Sequence, residues 1–137
     1  MLGPDQRQAK GDVVMSYKPQ AYTSAAPYLM IRDARAMLDF LHEVFGAEAL
    51  RVMPRAEGQG IMHAEARIDD TVIMMGEVPE PESAHIHVYV PDPKACFARA
   101  LAAGASEVQP LTDSGDGDLR GGLTDPQGIT WWIATQL

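Results

Sequence analysis

The pattern of YLMIRD at residues 28–33 recurs as HVYVPD at residues 87–92. Each stretch is a short apolar run that ends in an aspartate, and a helical pattern of apolar residues follows each one. Self-similarity at a fixed spacing is the mark of a duplicated structural unit. The sequence therefore predicts two copies of one module.

The first helix is predicted to begin at Asp33 and to stop at Gly46. An aspartate in the capping position accepts hydrogen bonds from the free N–H groups of the first turn, and glycine adopts the left-handed conformation that ends a helix. Between these residues the apolar positions recur every three or four residues, at Met37, Phe40, Leu41, Val44 and Phe45. This helix is expected to bury one face.

The second helix follows the same plan. Asp92 is its predicted cap, Pro93 occupies the first helical position, where the missing N–H costs nothing, and Gly104 is its predicted end. The apolar stripe consists of Cys96, Phe97, Ala100 and Leu101. A thiol on such a buried stripe is expected to be inert.

After each helix, apolar and polar residues alternate, which is the period of a strand. The predicted strands are residues 47–53, 60–68 and 71–77 in the first copy and 106–111, 118–124 and 129–134 in the second. Turn signals separate the last two strands of each copy, at residues 69–70 and 125–128. We predict a single-domain α+β fold of two modules, each a strand, a helix and three strands, over about residues 23–78 and 83–137.

Composition excludes several classes of function. The chain has 137 residues, the size of one domain, and its 11 basic and 19 acidic residues give a net charge of −8. This charge argues against binding to nucleic acid or to an anionic membrane surface. No apolar run approaches the roughly 18 residues that span a bilayer. We expect neither nucleic acid nor a membrane as a partner.

The cysteine content and the first residues suggest a compartment. The single cysteine cannot form an intramolecular disulfide, so a cytoplasmic location is the default expectation. Residues 1–22 lack the pattern of a signal peptide, and residues 1–14 have no structural period. We expect residues 1–22 to be a disordered leader that precedes the fold.

Four short motifs carry a resemblance to a known family. They are PYL with RD at residues 27–33, FGAE at residues 45–48, MHAE at residues 62–65, and DPQG with Trp131 at residues 125–131. Over residues 23–137 the chain resembles the glyoxalase, bleomycin-resistance and extradiol-dioxygenase superfamily, also called vicinal oxygen chelate proteins, and within it a PhnB-like branch. The resemblance implies paired βαβββ modules whose cupped sheet surrounds a pocket. It also implies a homodimer, because related proteins complete their cups across two chains.

The resemblance also implies where a metal would be held. Metal-dependent members place one ligand on the first strand and one on the last strand of each module. In this chain those positions correspond to Ala26, Met74, His85 and Trp132. Because only His85 carries an ordinary ligand for a divalent metal, we expect no metal and no cofactor.

Four residues remain candidates for a catalytic or irregular metal-binding role, although no catalytic residue can be assigned. His85 and His87 point to the same face of a strand, and His63 and Glu65 would join them if their strand lined the same cup. Arg67 would then lie on that face and repel a cation. The favoured interpretation is therefore that these histidines are hydrogen-bonded walls of a pocket.

A glycine-rich stretch at residues 115–122 has two interpretations. No helix follows it, so it is not predicted to bind phosphate, and it is expected to be a mobile rim. The family often has a Gly-Asp-x-x-Gly stretch here, which residues 117–121 resemble. Arg120 could therefore contact a ligand, although a solvated arginine is the commoner case.

The alternation of the strands assigns a lining to the expected pocket. The candidate ligand-binding residues are Tyr28, Met30, Met74, His85, His87, Tyr89, Trp132 and Arg120. The leading interpretation is metal-independent binding and sequestration of an apolar or aromatic small molecule, for example an antibiotic. The alternative is a glyoxalase-like lyase, isomerase or dioxygenase with an irregular histidine site. A third is a noncatalytic dimer whose cup is filled by side chains.

Overall fold

The computed structural model describes residues 17–137, so most of the predicted leader lies outside the described residues. The first module consists of β1 (Tyr28–Ile31), α1 (Ala34–Phe45), β2 (Glu48–Pro54), β3 (Ile61–Ile68) and β4 (Thr71–Glu77). The second consists of β5 (Ala84–Tyr89), α2 (Pro93–Ala102), β6 (Ser106–Asp113), β7 (Asp118–Thr124) and β8 (Ile129–Gln136). This order confirms the predicted α+β duplication.

The two modules form two four-stranded mixed sheets with the same topology. The strand order is β1-β4-β3-β2 in the first sheet and β5-β8-β7-β6 in the second. In each sheet the first strand pairs in parallel with the last, and the other pairs are antiparallel. Each helix is the crossover that makes the parallel pair possible.

The helix ends follow the predicted chemistry closely. Asp33 accepts a hydrogen bond from the Ala36 N–H at 3.0 Å, and Gly46 ends α1 with a φ of 68°. Asp92 caps α2 in the same way. Helix α2 stops at Ala102, slightly earlier than predicted, and Gly104 takes the left-handed conformation just beyond it, with a φ of 101°.

Both modules contribute to one hydrophobic core. Trp131 on β8 is 1% exposed, and its ring lies 5.2 Å from that of Phe45 and 6.5 Å from that of Phe40, measured between centroids. Helix α1 therefore packs on the sheet of the second module as well as on its own. Arg99 of α2 fixes the two helices together by donating to the Val44 carbonyl oxygen at 3.0 and 3.1 Å.

The β7–β8 turn joins the second module to the start of α1. The Gln127 side-chain oxygen accepts from the backbone N–H groups of Arg32 and Asp33, at 3.1 and 2.8 Å. Its amide nitrogen donates to the Asp33 carbonyl oxygen at 2.7 Å. Residue 127 was predicted only as part of a turn, but its side chain closes the contact between the modules.

The buried carboxylate of Asp125 holds this same turn. It is 4% exposed and accepts from the Trp131 indole N–H at 2.8 Å and from the backbone N–H groups of Gln127 and Ile129 at 2.8 and 3.1 Å. Three donors that would otherwise be unpaired in the interior are thereby satisfied. Asp125 thus links the turn to the central tryptophan of the core.

We expect Cys96 to be unreactive in the folded protein. The residue is fully buried, and burial raises the pKa of the Cys96 thiol to about 11. Since the thiolate is the reactive form, native protein at pH 8 should react with Ellman's reagent at least ~100-fold more slowly than protein unfolded in urea. Equal rates in the two states would contradict this expectation.

Candidate functional site

Each sheet has one face on the core and one open face. In the first sheet Leu29, Ile31 and Met75 are buried in the core, and their neighbours on the strands point the other way. The same alternation in the second sheet buries Trp131 and Ile133. The residues predicted to bind a ligand lie on the open faces, and the structure divides them between the two sheets.

The open face of the first sheet carries a connected polar cluster. The Tyr28 hydroxyl lies 3.1 Å from His63 Nδ1, and His63 Nε2 lies 2.6 Å from Glu65 Oε2. Glu65 Oε1 accepts a hydrogen bond from the hydroxyl of Tyr22. Met30 and Met74 belong to the flanking strands of the same sheet. Glu65 is 2% exposed, so a carboxylate is buried among hydrogen-bond donors.

Opposing effects set the ionisation of this cluster. Burial by itself would raise the pKa of Glu65, but hydrogen bonds from Tyr22 and His63 outweigh it, and the net pKa lies below the usual value of 4.5. The hydrogen bond to Glu65 raises the pKa of Tyr22. The cluster therefore favours an ionised Glu65 and a protonated Tyr22.

The lowered pKa of Glu65 predicts a specific dependence of stability on acid. The stabilisation from its ionised form is complete above the unfolded pKa, near 4.5, and is lost as the pH falls through the lower native pKa. We expect Glu65→Gln to lower the free energy of unfolding at pH 7, and this difference from wild type to shrink in acid. Urea unfolding between pH 7 and pH 3 measures it, and a difference constant with pH would contradict the assignment.

Trp132 and His85 form a flat aromatic platform on the open face of the second sheet. The indole N–H of Trp132 donates to His85 Nδ1 at 3.1 Å, and the two ring planes are 13° apart with centroids separated by 6.2 Å. Because the N–H bond and the accepting lone pair both lie in their ring planes, the rings lie edge to edge. A Cβ atom on Gly122 would come within 2.6 Å of the Trp132 ring, so the indole rests directly on the backbone of β7.

Arg120 lies beside the platform and is held by three partners. Its guanidinium donates to His87 Nε2 at 2.9 Å, to Asp116 at 2.8 Å and to Asp118 at 2.7 Å. Asp118 also accepts from the Tyr89 hydroxyl at 2.7 Å. The hydrogen bond from Arg120 holds the pKa of Asp116 below its usual value.

This geometry changes the view of the glycine-rich stretch. Strand β7 begins at Asp118, so Arg120 lies on a strand and the rim is confined to residues 114–117. Its side chain is 24% exposed and ion-paired, whereas the sequence favoured a solvated arginine. The sequence could not show that two aspartates and His87 surround Arg120.

The residues at the family's metal positions do not fit a metal. Ala26 has no donor atom, Met74 offers a thioether, and the indole of Trp132 can only donate a hydrogen bond. His85 Nδ1 accepts that indole hydrogen, so one of its two nitrogens is already engaged. Among residues 17–137, no three His, Cys, Asp or Glu side chains are grouped so that they could hold a metal ion.

The four candidate catalytic residues fall into two separate sets. His63 pairs with Glu65 on the first sheet, whereas the partners of His85 and His87 are Trp132 and Arg120 on the second. A cavity of about 390 Å³ lies between the modules and is lined from the first by Pro27, Ile68, Asp69, Asp70, Thr71 and Ile73 and from the second by Ile86, His87, Val88 and Tyr89. His87 and Tyr89 thus reach this cavity, and the platform lies outside it.

Sequence reasoning missed four residues of these clusters. Tyr22 was assigned to the leader, yet it contacts Glu65 from outside the repeat. Asp116, Asp118 and Gly122 were predicted only as parts of the glycine-rich rim. The spacing of Asp118 and Arg120 on one predicted strand face was the available signal, whereas nothing in the sequence pointed to Tyr22.

Comparison with known proteins supports the architecture. A family model described as the Glyoxalase/Bleomycin resistance protein/Dioxygenase superfamily matches residues 22–133. Uncharacterized protein Mb0911c of Mycobacterium bovis is 36% identical, over 77% of this chain and 78% of its own length.

No helix within residues 17–137 is long and apolar enough to cross a membrane.

Solved structures share the fold. TioX from Micromonospora sp. ML1 aligns with a TM-score of 0.71 and 29% identity, over 84% of this chain and 99% of TioX. The PhnB protein from Bacillus cereus aligns with a TM-score of 0.64 and 16% identity, over 82% and 99% of the two chains. The resemblance inferred from the motifs is confirmed: the chain belongs to the glyoxalase, bleomycin-resistance protein and dioxygenase superfamily.

Proposed function

We propose that the chain is a metal-independent small-molecule binding protein that holds a planar aromatic ligand on the Trp132–His85 platform. The observation that carries this proposal is the edge-to-edge arrangement of the two rings, which gives a flat surface wide enough for a fused ring system. Offset stacking on such a surface adds about 0.5–1.5 kcal/mol to the burial of apolar area. The lack of a suitable donor set at the family's metal positions supports binding without a metal.

The charge of the chain favours a cationic ligand. A net charge of −8 attracts cations over a distance of about one Debye length, roughly 8 Å at physiological salt. The description of the matching family includes a bleomycin resistance protein. Sequestration of a planar cationic antibiotic, without turnover, is the use of the site that we propose.

Binding of proflavine, a planar cationic dye, tests this proposal. We expect proflavine to bind to the wild-type protein, and Trp132→Ala to weaken binding at least ~10-fold because the stacking surface is lost. Trp132→Phe, which keeps a smaller ring, should give an intermediate affinity. Titration calorimetry at low and high salt measures both the affinity and the contribution of charge.

Leu101→Ala is the matched control for this experiment. Leu101 is an exposed apolar residue on α2, 44% accessible, and it has no part in the platform. Its replacement should leave proflavine affinity unchanged. Binding that survives both Trp132→Ala and high salt would rule out the platform as the site.

We also propose that the protein is a cytoplasmic homodimer in which a second copy completes the cup around the open faces. A large aromatic side chain is exposed on the open face of each sheet: Tyr28 is 47% exposed and Tyr89 is 61% exposed. Burying such side chains is a source of association energy. Sedimentation equilibrium of the untagged protein tests this, and a monomer at micromolar concentration would contradict it.

A further inference from the structure

The side-chain hydrogen bonds that join Tyr28, His63 and Glu65 on the first sheet have a definite direction. An ionised Glu65 can only accept, so the proton between it and His63 belongs to His63 Nε2, at 2.6 Å. When the ring carries that proton alone, Nδ1 is an acceptor, and the Tyr28 hydroxyl, 3.1 Å away, donates to it. Tyr28, His63 and Glu65 thus form a relay in which each O–H or N–H points toward the carboxylate.

Exposure rises along this relay from one end to the other. Glu65 is 2% exposed, the His63 side chain is 19% exposed and Tyr28 is 47% exposed. A molecule in solvent therefore approaches these three side chains from the tyrosine end. Gly76 makes this placement possible, since a Cβ atom there would lie 2.9 Å from the Tyr28 hydroxyl oxygen.

The duplicated module shows that the fold does not require the relay. The strand register puts Tyr28, Met74 and Glu65 in one row across the first sheet. The corresponding row of the second sheet is His87, Trp132 and Gly122, so glycine stands where the first module buries a carboxylate. Burying a carboxylate has a cost in desolvation that the second module avoids.

We propose that Tyr28, His63 and Glu65 form a metal-free proton-transfer site for a carbon acid bound against the Tyr28 hydroxyl. This goes beyond ligand binding and does not involve the aromatic platform. Protons bound to oxygen or nitrogen exchange rapidly with water without a catalyst. Proton transfer from carbon is slow, so an oriented relay accelerates it usefully. Tyr28 is the residue that touches the substrate, and Glu65 is a positioning residue.

The proposed step balances without any other reactant. The substrate C–H bond breaks and its proton moves to the Tyr28 oxygen, while the original hydroxyl proton moves to His63 Nδ1. The electron pair of the C–H bond remains on the substrate, and the imidazolium that forms is stabilised by the carboxylate of Glu65. Return of the proton to a different carbon would complete an isomerisation.

The probe for this step is 5-nitrobenzisoxazole, a planar carbon acid. Loss of its ring C–H proton breaks the N–O bond and gives a coloured nitrile phenolate, so a base is the only reactant that it needs. We expect the wild-type protein to accelerate this reaction above an equal concentration of imidazole, and Tyr28→Phe to lower the rate by about 100-fold. Tyr17→Phe is the matched control, because Tyr17 is 86% exposed and lies outside the relay.

Nitrogen-15 spectra of the histidine rings provide a readout of the relay itself. We expect His63 to be the Nε2–H tautomer in the wild type, and Glu65→Gln to mix the tautomers and to lower the rate while the fold is retained. An Nδ1–H tautomer in the wild type, no acceleration of the probe reaction, or an unchanged rate in Tyr28→Phe would each overturn the proposal. Proflavine binding at Trp132 is measured separately, so either proposal can fail alone.

Discussion

Replacing Asp125 by alanine is expected to lower the free energy of unfolding by about 3 kcal/mol. The carboxylate accepts three hydrogen bonds. Its removal deprives the N–H groups of Trp131, Gln127 and Ile129 of this acceptor. Trp131 is 1% exposed and Ile129 fully buried, so water reaches these donors poorly. Each buried donor that loses its partner costs about 1–3 kcal/mol, which makes this the largest effect that we expect.

Asp70→Ala is the matched control, since Asp70 lies in the β3–β4 turn, the corresponding turn of the first module. Asp70 is exposed, and its carboxylate accepts from the adjacent Thr71 hydroxyl. Its replacement should change the free energy of unfolding by less than about 0.5 kcal/mol. Urea denaturation followed by circular dichroism compares the two variants, and equal losses would show that Asp125 is an ordinary turn residue.

The second large effect is expected for Gly121→Ala. A Cβ atom at Gly121 would lie 2.7 Å from the ring of Phe97 and 3.0 Å from backbone atoms of Gln109 and Leu111. The backbone of β6 cannot move away without disturbing its pairing with β7. We expect a loss of about 2 kcal/mol in the free energy of unfolding, because overpacking a filled interior costs about 1–3 kcal/mol.

Its neighbour Gly122 provides a comparison with a different expected outcome. The three atoms nearest to a Cβ atom there all belong to the ring of Trp132, at 2.6–3.1 Å, and this side chain is half-buried. Gly122→Ala should therefore cost less stability than Gly121→Ala but should weaken proflavine binding by tilting the platform. If Gly122→Ala is the more destabilising variant, the indole is fixed and the explanation from backbone contacts is wrong.

Much of the fold could be predicted from residues that act locally. Asp33, Gly46 and Asp92 have the predicted roles at the helix ends, because capping depends on neighbours within one turn. The strands β3, β4 and β7 match their predicted ranges to within one residue, since alternation is a property of consecutive side chains. Because the module is duplicated, an element predicted in one copy was also expected at the same place in the other.

The candidate site was predictable only in part, for a physical reason. Alternation placed His63 and Glu65 on one face of β3, and the structure joins them by a hydrogen bond. The partners of Arg120 come from a loop, from its own strand and from β5, which no local pattern connects. Tyr22 contacts Glu65 across 43 residues of sequence.

The duplicated module and its helix caps follow from the sequence alone, because they depend on neighbouring residues and on the two periods of the backbone. The side chains that meet across the sheets are known only from the folded structure. Strand pairing and helix packing bring together the residues of the Trp132–His85 platform and of the relay that ends at Glu65. They also bring Gln127 to the start of α1. Such contacts depend on distances between elements, which one-dimensional spacing does not encode.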